Sequence, residues 1–242
     1  MMFWTKKIHK WASLLIGLQL LIWVFSGLVF NVIDHKKARG NAYRQAPAAS
    51  EHRVAEKDLL PVESILKAYP DTVELTQTKL LAKPYYLLTQ QQGLYRHFAN
   101  RYLLINAVTG ELTKVSEQLA SNIAKASYNG PGEITSIALL TANIADYPKQ
   151  KNPTWRINFS DDLETSVYVE QGSGRLVGHS NSDKRFAGFF FMLHFMDYGD
   201  EGSFNNIQIM LFAFVTLWLA LSGGIWTVHM VRNGRYRLKA SR

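Results

Sequence analysis

WASLLIGLQLLIWVFSGLVFNV (residues 11–32) and IQIMLFAFVTLWLALSGGIWTV (residues 207–228) are two long apolar stretches without a charged side chain. Each has 22 residues, which as a helix would span ~33 Å, enough to cross a bilayer core. The first stretch is too long for a cleaved signal peptide, and no small-residue cleavage site follows it. A buried helix of a soluble protein would explain either stretch alone, but two together predict two membrane spans.

Charge sets the predicted orientation of these spans. The chain carries a net charge of +8, yet all 19 acidic residues lie between Asp34 and Glu201, where 19 Lys and Arg residues balance them. The remaining eight basic residues flank the two apolar stretches on their outer sides. This positive flanking predicts that both termini are cytoplasmic and that residues between the spans lie outside the inner membrane. Because the basicity belongs to two short tails, no nucleic-acid-binding face is expected.

Several chemistries are not expected from this sequence. The chain has no cysteine, which excludes disulfides, a Cys nucleophile and an iron–sulfur cluster held by this chain. No hydrolase motif is present, and the glycines at 172 and 174 do not precede a predicted helix, so no flavin or nicotinamide site is expected. An electron donor, if one is needed, would therefore be a separate protein.

The segment between the spans contains an internal repeat. Each half begins with a predicted helix (61–69 and 117–124), continues with alternating strand-like runs, and closes on a glycine turn. The two closing turns match as Thr109-Gly110-Glu111-Leu112 and Ser173-Gly174-Arg175-Leu176. The predicted fold class is an α+β membrane protein, in which two transmembrane helices flank an extracytoplasmic tandem of helix-on-antiparallel-sheet units.

These features define eight predicted segments along the chain. They are a cytoplasmic N-terminal tail (1–10), a first transmembrane helix (11–32), a linker (33–58), a first repeat unit (59–116), a second repeat unit (117–182), an interfacial segment (183–206), a second transmembrane helix (207–231) and a cytoplasmic basic tail (232–242).

Short motifs give the chain a family resemblance. The repeat is similar to the PepSY domain, and the spans resemble PepSY-associated transmembrane segments: His9-Lys10-Trp11 opens the first span, Ser26-Gly27 lies near its end, and Leu193-His194-Phe195 precedes the second. The resemblance implies a relation to haem-bearing inner-membrane reductases of ferric-siderophore uptake. Larger family members have four spans, which implies that a homodimer or a partner membrane subunit completes the assembly.

Four histidines bracket the two predicted spans. His9 and His229 lie at the cytoplasmic ends, and His35 and His194 at the outer ends. Neutral imidazole is an axial ligand of haem iron, and facing helices can clamp a haem between two histidines. Since His9 and His194 are expected at opposite faces, the predicted ligand pairs for haem b are His9 with His229 and His35 with His194. Alternatively, these histidines are ordinary interfacial residues and the glycines in the spans serve helix packing.

The other three histidines, His52, His97 and His179, are expected at the surface without a function. The favoured function is a membrane haem-b electron-transfer subunit, with membrane lipid around it and ferric iron or a ferric-siderophore as acceptor. The alternative is a membrane-anchored PepSY binding or regulatory module without a cofactor, which inhibits a peptidase or scaffolds a membrane complex.

Overall fold

The computed structural model describes residues 2–46, 58–199 and 205–234, with residues 2–6 described by their backbone alone. Residues 47–57 of the predicted linker, among them His52, and residues 235–242 of the predicted basic tail lie outside the described residues. The chain divides into two compact units. The first, called the helical unit here, comprises Met1–Val32 and Phe189–Arg242, and the second, the sheet unit, comprises Ile33–Gly188.

The helices and strands follow the predicted order. They are α1 (Met2–Val32), α2 (His35–Ala38), α3 (Val62–Ala68), β1 (Glu74–Leu80), β2 (Lys83–Gln91), β3 (Arg101–Asn106), β4 (Leu112–Thr113), α4 (Glu117–Ser127), β5 (Ile134–Leu140), β6 (Thr154–Phe159), β7 (Ser166–Glu170), β8 (Leu176–Ser180), α5 (Ser182–Phe195) and α6 (Ile207–Arg232).

The helical unit contains two helices that are long and apolar enough to cross a membrane, over Lys7–Val32 and Ile207–Arg232. They share a small cluster of buried side chains, Ile16, Phe212 and Leu219. Most other apolar side chains on both helices are exposed within the chain, for example Leu21 at 69% and Phe214 at 73%. An apolar surface of this extent requires an apolar surrounding, as a bilayer or further helices provide.

The sheet unit repeats one plan twice. In each half a helix precedes a four-stranded antiparallel sheet whose strands lie in sequence order, β1-β2-β3-β4 and then β5-β6-β7-β8. Two candidate membrane helices therefore flank two antiparallel sheets with their helices, which confirms the predicted α+β fold class.

The glycine turns that close the two halves are built alike. Gly110 and Gly174 both have positive φ, +76° and +70°, a conformation that costs glycine nothing because it lacks a Cβ. Gly110 N–H donates to the Asn106 carbonyl and Gly174 N–H donates to the Glu170 carbonyl, each at 2.9 Å. The matching turn sequences thus mark equivalent positions in the two halves.

Side-chain alternation along β2 divides the core into two layers. Tyr85 belongs to a cluster with α4 and the second sheet, including Ile157 and Val167. The next residue, Tyr86, faces the other way and packs with Ile65 of α3 and other buried side chains. Successive strand residues point to opposite faces, so the first sheet is covered on both sides.

A buried carboxylate lies at the end of β7. Glu170 is fully buried and accepts hydrogen bonds from Gln150 Nε2 (2.8 Å), Asn152 Nδ2 (3.0 Å) and Arg175 Nη2 (3.0 Å), and from the Ser173 hydroxyl. Buried carboxylates are tolerated only when paired and hydrogen-bonded in this way. The network joins the loops that precede β6 and β8.

The prediction that His179 lies at the surface is wrong. His179 is 1% exposed, and its Nε2 lies 2.9 Å from the Ser127 hydroxyl oxygen of α4. The carbonyl of the same residue accepts a hydrogen bond from Tyr147, and a Cβ on Gly40 would lie 2.7 Å from that carbonyl oxygen. The prediction relied on the polar residues around His179 in the sequence. The short strand β8 is covered on both faces, so its polar residues are buried as well.

We expect mild acid to destabilise the sheet unit through His179. Burial lowers the pKa of His179 to about 4, and the positive charge of Arg44 acts in the same direction. Since the unfolded chain would protonate this imidazole near its ordinary pKa of about 6.5, the stability it contributes is complete above pH ~6.5 and is lost as the pH falls towards 4. The loss is at most ~3 kcal/mol over that window.

Hydrogen exchange of the β6–β8 amides in the full chain, at pH 7.5 and pH 5, measures this effect. The His179→Gln variant should lose most of the pH dependence between these values. The His97→Gln variant serves as the matched control. An equal pH dependence in wild type and His179→Gln would contradict the assignment.

Candidate functional site

His194 is held by the C-terminal part of α1. Its Nδ1 lies 2.8 Å from the Ser26 hydroxyl oxygen, and its ring contacts those of Trp23 and Phe30, with centroid distances of 6.3 and 5.5 Å. Ser26 is fully buried although it lies in an apolar helix. The Leu193 carbonyl accepts a hydrogen bond from Gln19, so α5 is fixed against α1 by polar contacts on successive residues.

His9 is held in a similar way by α6. Its Nδ1 lies 3.4 Å from the Ser222 hydroxyl oxygen, and its ring contacts those of Trp218 and Trp226, with centroid distances of 6.3 and 6.1 Å. Each histidine therefore lies beside a Ser–Gly pair that follows a tryptophan by three or four residues. We call these two arrangements the His194 site and the His9 site.

Each serine hydroxyl also lies within reach of a carbonyl of its own helix: Ser26 donates to the Ile22 carbonyl at 2.7 Å, and Ser222 donates to the Leu219 carbonyl at 3.1 Å. A hydroxyl has one proton. With that proton donated to the carbonyl, the serine oxygen would accept from the neighbouring Nδ1–H. Nε2 then carries the free lone pair, which is the form in which histidine binds a metal while its other nitrogen is oriented by an oxygen.

A family model with the description PepSY-associated TM region matches residues 6–242. The chain belongs to this family. It is a membrane protein, as its two apolar helices and this match together indicate. The resemblance predicted from the sequence is thereby confirmed. No curated protein and no solved structure matches the chain.

The other two candidate histidines of this PepSY-associated protein have different surroundings. His229 is exposed, and its Nε2 lies 2.9 Å from Asn233 Nδ2, which donates to it. The contact of His9 is at Ser222, seven residues and ~10 Å along α6 from His229. His35 is an exposed residue at the start of α2 and belongs to the sheet unit.

Four described glycines of α1 and α6, at positions 17, 27, 223 and 224, have no backbone of another helix within 4 Å of a Cβ built on them. A Cβ on Gly17 or Gly224 would meet nothing within 4 Å. A Cβ on Gly27 or Gly223 would lie 4.0 Å from His194 Cε1 and 3.8 Å from His9 Cε1, at ordinary contact distance. Glycines that mediate helix association are expected to have a neighbouring backbone close by. Here Gly27 and Gly223 instead lie against the two imidazoles.

Each of the two sites contains one imidazole, His9 or His194. Within the described residues, no group of three or more His, Asp or Glu side chains could hold a metal ion. The two sites lie on α1 at His9 and Ser26, 17 residues apart and therefore ~25 Å along the helix. One imidazole at each of two depths in the helical unit could supply a ligand to a haem iron, and aromatic rings lie beside each imidazole.

Sequence reasoning named His9 and His194 but missed the serines that orient them. A signal was present, because Trp23-x-x-Ser26-Gly27 in one span and Trp218-x-x-x-Ser222-Gly223 in the other are variants of one pattern. Hydroxyl groups in apolar helices usually bond to their own backbone carbonyls. Only the packing of the helices shows that these two also meet a histidine.

Proposed function

We propose that this protein is a haem-b electron-transfer subunit that passes electrons across the cytoplasmic membrane to ferric iron or a ferric-siderophore outside it. The observation that carries the proposal is the paired arrangement of His9 and His194. Each is half-buried beside an apolar helix, oriented through Nδ1 by a serine and flanked by aromatic rings. Interfacial histidines without a ligand role would not need two matching serine contacts.

The chain's own residues bind and orient the cofactor in this proposal. His9 and His194 each supply Nε2 to iron, and Ser222 and Ser26 fix the ring orientation by accepting from Nδ1. Haem, when bound, supplies one-electron transfer between its ferric and ferrous states. Aromatic side chains around the two rings exclude water and pack against a flat apolar ligand.

In this proposal His229 would hold the cofactor together with His9, and His35 together with His194, within one chain or between two copies. Two copies would bring together four spanning helices, and cofactor sites of helix bundles are built between facing helices. A partner membrane subunit would serve equally, and membrane lipid covers the remaining apolar surface. The electron donor is a separate protein.

The proposed orientation follows from charge. The chain's unbalanced basic residues flank the outer sides of the two apolar stretches, while the sheet unit between them is close to neutral. Under the positive-inside rule, both termini are cytoplasmic and the sheet unit is periplasmic. The His9 site then lies near the cytoplasmic face, and the His194 site near the outer face.

A reduced-minus-oxidised optical spectrum of the purified full chain, produced with haem supplied, tests the proposal. We expect a sharp α band of b-type, low-spin haem. The absence of any haem band, with haem supplied at least equimolar to the protein, would overturn the proposal. That result would favour the alternative of an anchored binding or regulatory module, in which the spans serve as anchors.

Replacing Ser26 with alanine should weaken haem binding at the His194 site by roughly 10–100-fold, because a ligand histidine loses the group that orients it. Haem titration of the apoprotein measures the change. Ser13→Ala is the matched control, since Ser13 is exposed on the same helix. Equal affinities in all three proteins would show that the serine contact has no role in ligation.

A further inference from the structure

Three loops meet at one end of the sheet unit. The β2–β3 loop is joined to the segment before β6 by Lys151 N–H donating to the His97 carbonyl at 2.8 Å, and by Asn100 N–H donating to the Asn152 side chain at 2.7 Å. The turn before β8 joins them through Glu170, which binds both Asn152 and Arg175. The loops at 92–100, 148–153 and 171–175 thus form one surface.

Aromatic and apolar side chains project from the first of these loops. Leu94 is 77% exposed and Tyr95 is 57% exposed. The His97 ring stacks on Tyr95, with 5.4 Å between centroids and 8° between planes, and contacts the Phe98 ring edge-on at 4.9 Å. Exposed rings held together in this way are typical of the central contacts in protein interfaces.

Basic residues are concentrated in the same three loops and in the residue that follows the first loop. Burial lowers the pKa of His97, and the positive charges of Lys149 and Arg175 lower it further. The three loops contain no Asp or Glu. Glu74 accepts from Gln92 at one edge, and Glu170 is buried. We call this surface the basic aromatic patch, and its cations are Arg96, Arg101, Lys149, Lys151 and Arg175.

The patch has a rigid base. Glu170 accepts from Gln150, Asn152, Ser173 and Arg175 beneath it, and the Asn100 side chain donates to three carbonyls of its own loop. Loops ordered before binding avoid the entropy cost of being ordered by the partner. A solvated loop without a partner would not need this scaffold.

The patch lies at one end of the second sheet, where β8 begins. β8 runs from Leu176, beside the patch, to Ser180, where the chain turns into α5. Gly40 packs on His179 at that same end. Strand geometry separates the two ends of β8 by roughly 15 Å, so the patch and His179 lie at opposite ends of this strand.

We propose that the basic aromatic patch docks an acidic segment of a partner protein that also carries aromatic side chains. Cations and exposed rings on the same loops complement carboxylates and rings on a polypeptide. The side chains are exposed on a surface, which suits contact with a macromolecule better than enclosure of a small anion. This proposal is independent of haem binding.

The test uses the full chain in nanodiscs of zwitterionic lipid and a fluorescent peptide of Glu-Glu-Tyr repeats as the probe. The patch variant is Arg96→Glu/Lys149→Glu/Lys151→Glu. The matched control, Lys67→Glu/Lys114→Glu/Lys125→Glu, makes the same change in net charge at exposed lysines outside the patch. A third variant, Tyr95→Ala/Phe98→Ala, leaves the charge unchanged. Fluorescence anisotropy gives the affinity at two ionic strengths.

We expect the patch variant to bind the peptide at least about tenfold more weakly, the aromatic variant also more weakly, and the control within about twofold of wild type. An equal loss in patch and control variants would overturn the proposal, because only net charge would matter. Absence of peptide binding by wild type would also overturn it. Wild-type nanodiscs could also float with phosphatidylglycerol vesicles. If they do, and if the patch variant does not, the ligand of the patch is an anionic lipid surface and the proposed protein partner is wrong.

Discussion

Replacing His194 with alanine is expected to remove the haem of one site and to leave that of the other. The amplitude of the reduced α band per mole of protein should fall to about half, because an axial imidazole supplies an iron bond that alanine cannot replace. His9→Ala should remove the other half, and the double variant should retain none. The α band and the extracted haem content of the purified variants measure these losses.

His97→Ala provides the control, because His97 lies in a loop of the sheet unit and should retain full haem. Full retention in both His9→Ala and His194→Ala would contradict the assignment of the two sites. His229→Ala and His35→Ala then identify the second ligands. If His229→Ala or His35→Ala loses the same haem as His9→Ala, the replaced histidine is the second ligand at the His9 site, and the same reasoning applies to His194→Ala. The test holds for a pair within one chain and for a pair between two chains.

Glu170→Ala should destabilise the sheet unit by about 3–5 kcal/mol. The change leaves the Arg175 cation and two buried amides without their acceptor, and breaking one half of a buried ion pair typically costs this much. Hydrogen exchange of the β6–β8 amides in the full chain measures the effect. The loops of the basic aromatic patch should lose protection together with these strands, since they share the carboxylate.

Glu133→Ala is the matched control, because Glu133 is an exposed residue of the same unit, and its removal should change stability by less than ~0.5 kcal/mol. Glu170→Gln should lie between the two variants, since the amide keeps the shape but loses the charge. A loss below ~1 kcal/mol for Glu170→Ala would show that water replaces the carboxylate and that the loops do not depend on it.

The sequence was sufficient to predict the plan of the fold. Charge-free stretches of sufficient length identify the two long helices, and alternation with glycine turns identifies the sheets. The turn residues at Gly110 and Gly174 require positive φ, and that local requirement made the repeat visible. These features depend on local chain properties, which is why they can be read without knowing the packing.

Burial of polar residues could not be predicted in the same way. Nothing local distinguishes His179, which is buried against Ser127 of α4, from His97, which lies in an exposed loop. Glu170 follows an apolar strand run but binds residues of two other loops. The serine contacts of His9 and His194 join residues 213 and 168 positions apart, and only tertiary packing determines such pairs.

The segment around Tyr43 sets the order in which the sheet unit can be completed. The hydroxyl of Tyr43 donates to Asp162 at 2.6 Å, and Gln45 N–H donates to the Ser127 carbonyl at 2.9 Å, while Gly40 packs on His179. At a synthesis rate of roughly 5–20 residues per second, the last of these partners emerges about 7 to 28 s after Gly40. Each antiparallel sheet can form early from neighbouring strands, but the first residues of the unit must wait for its last strand. An interruption of synthesis before β8 would therefore leave the second sheet one strand short. Gly40 would then lack its neighbour His179, and the start of the unit would be exposed to proteolysis.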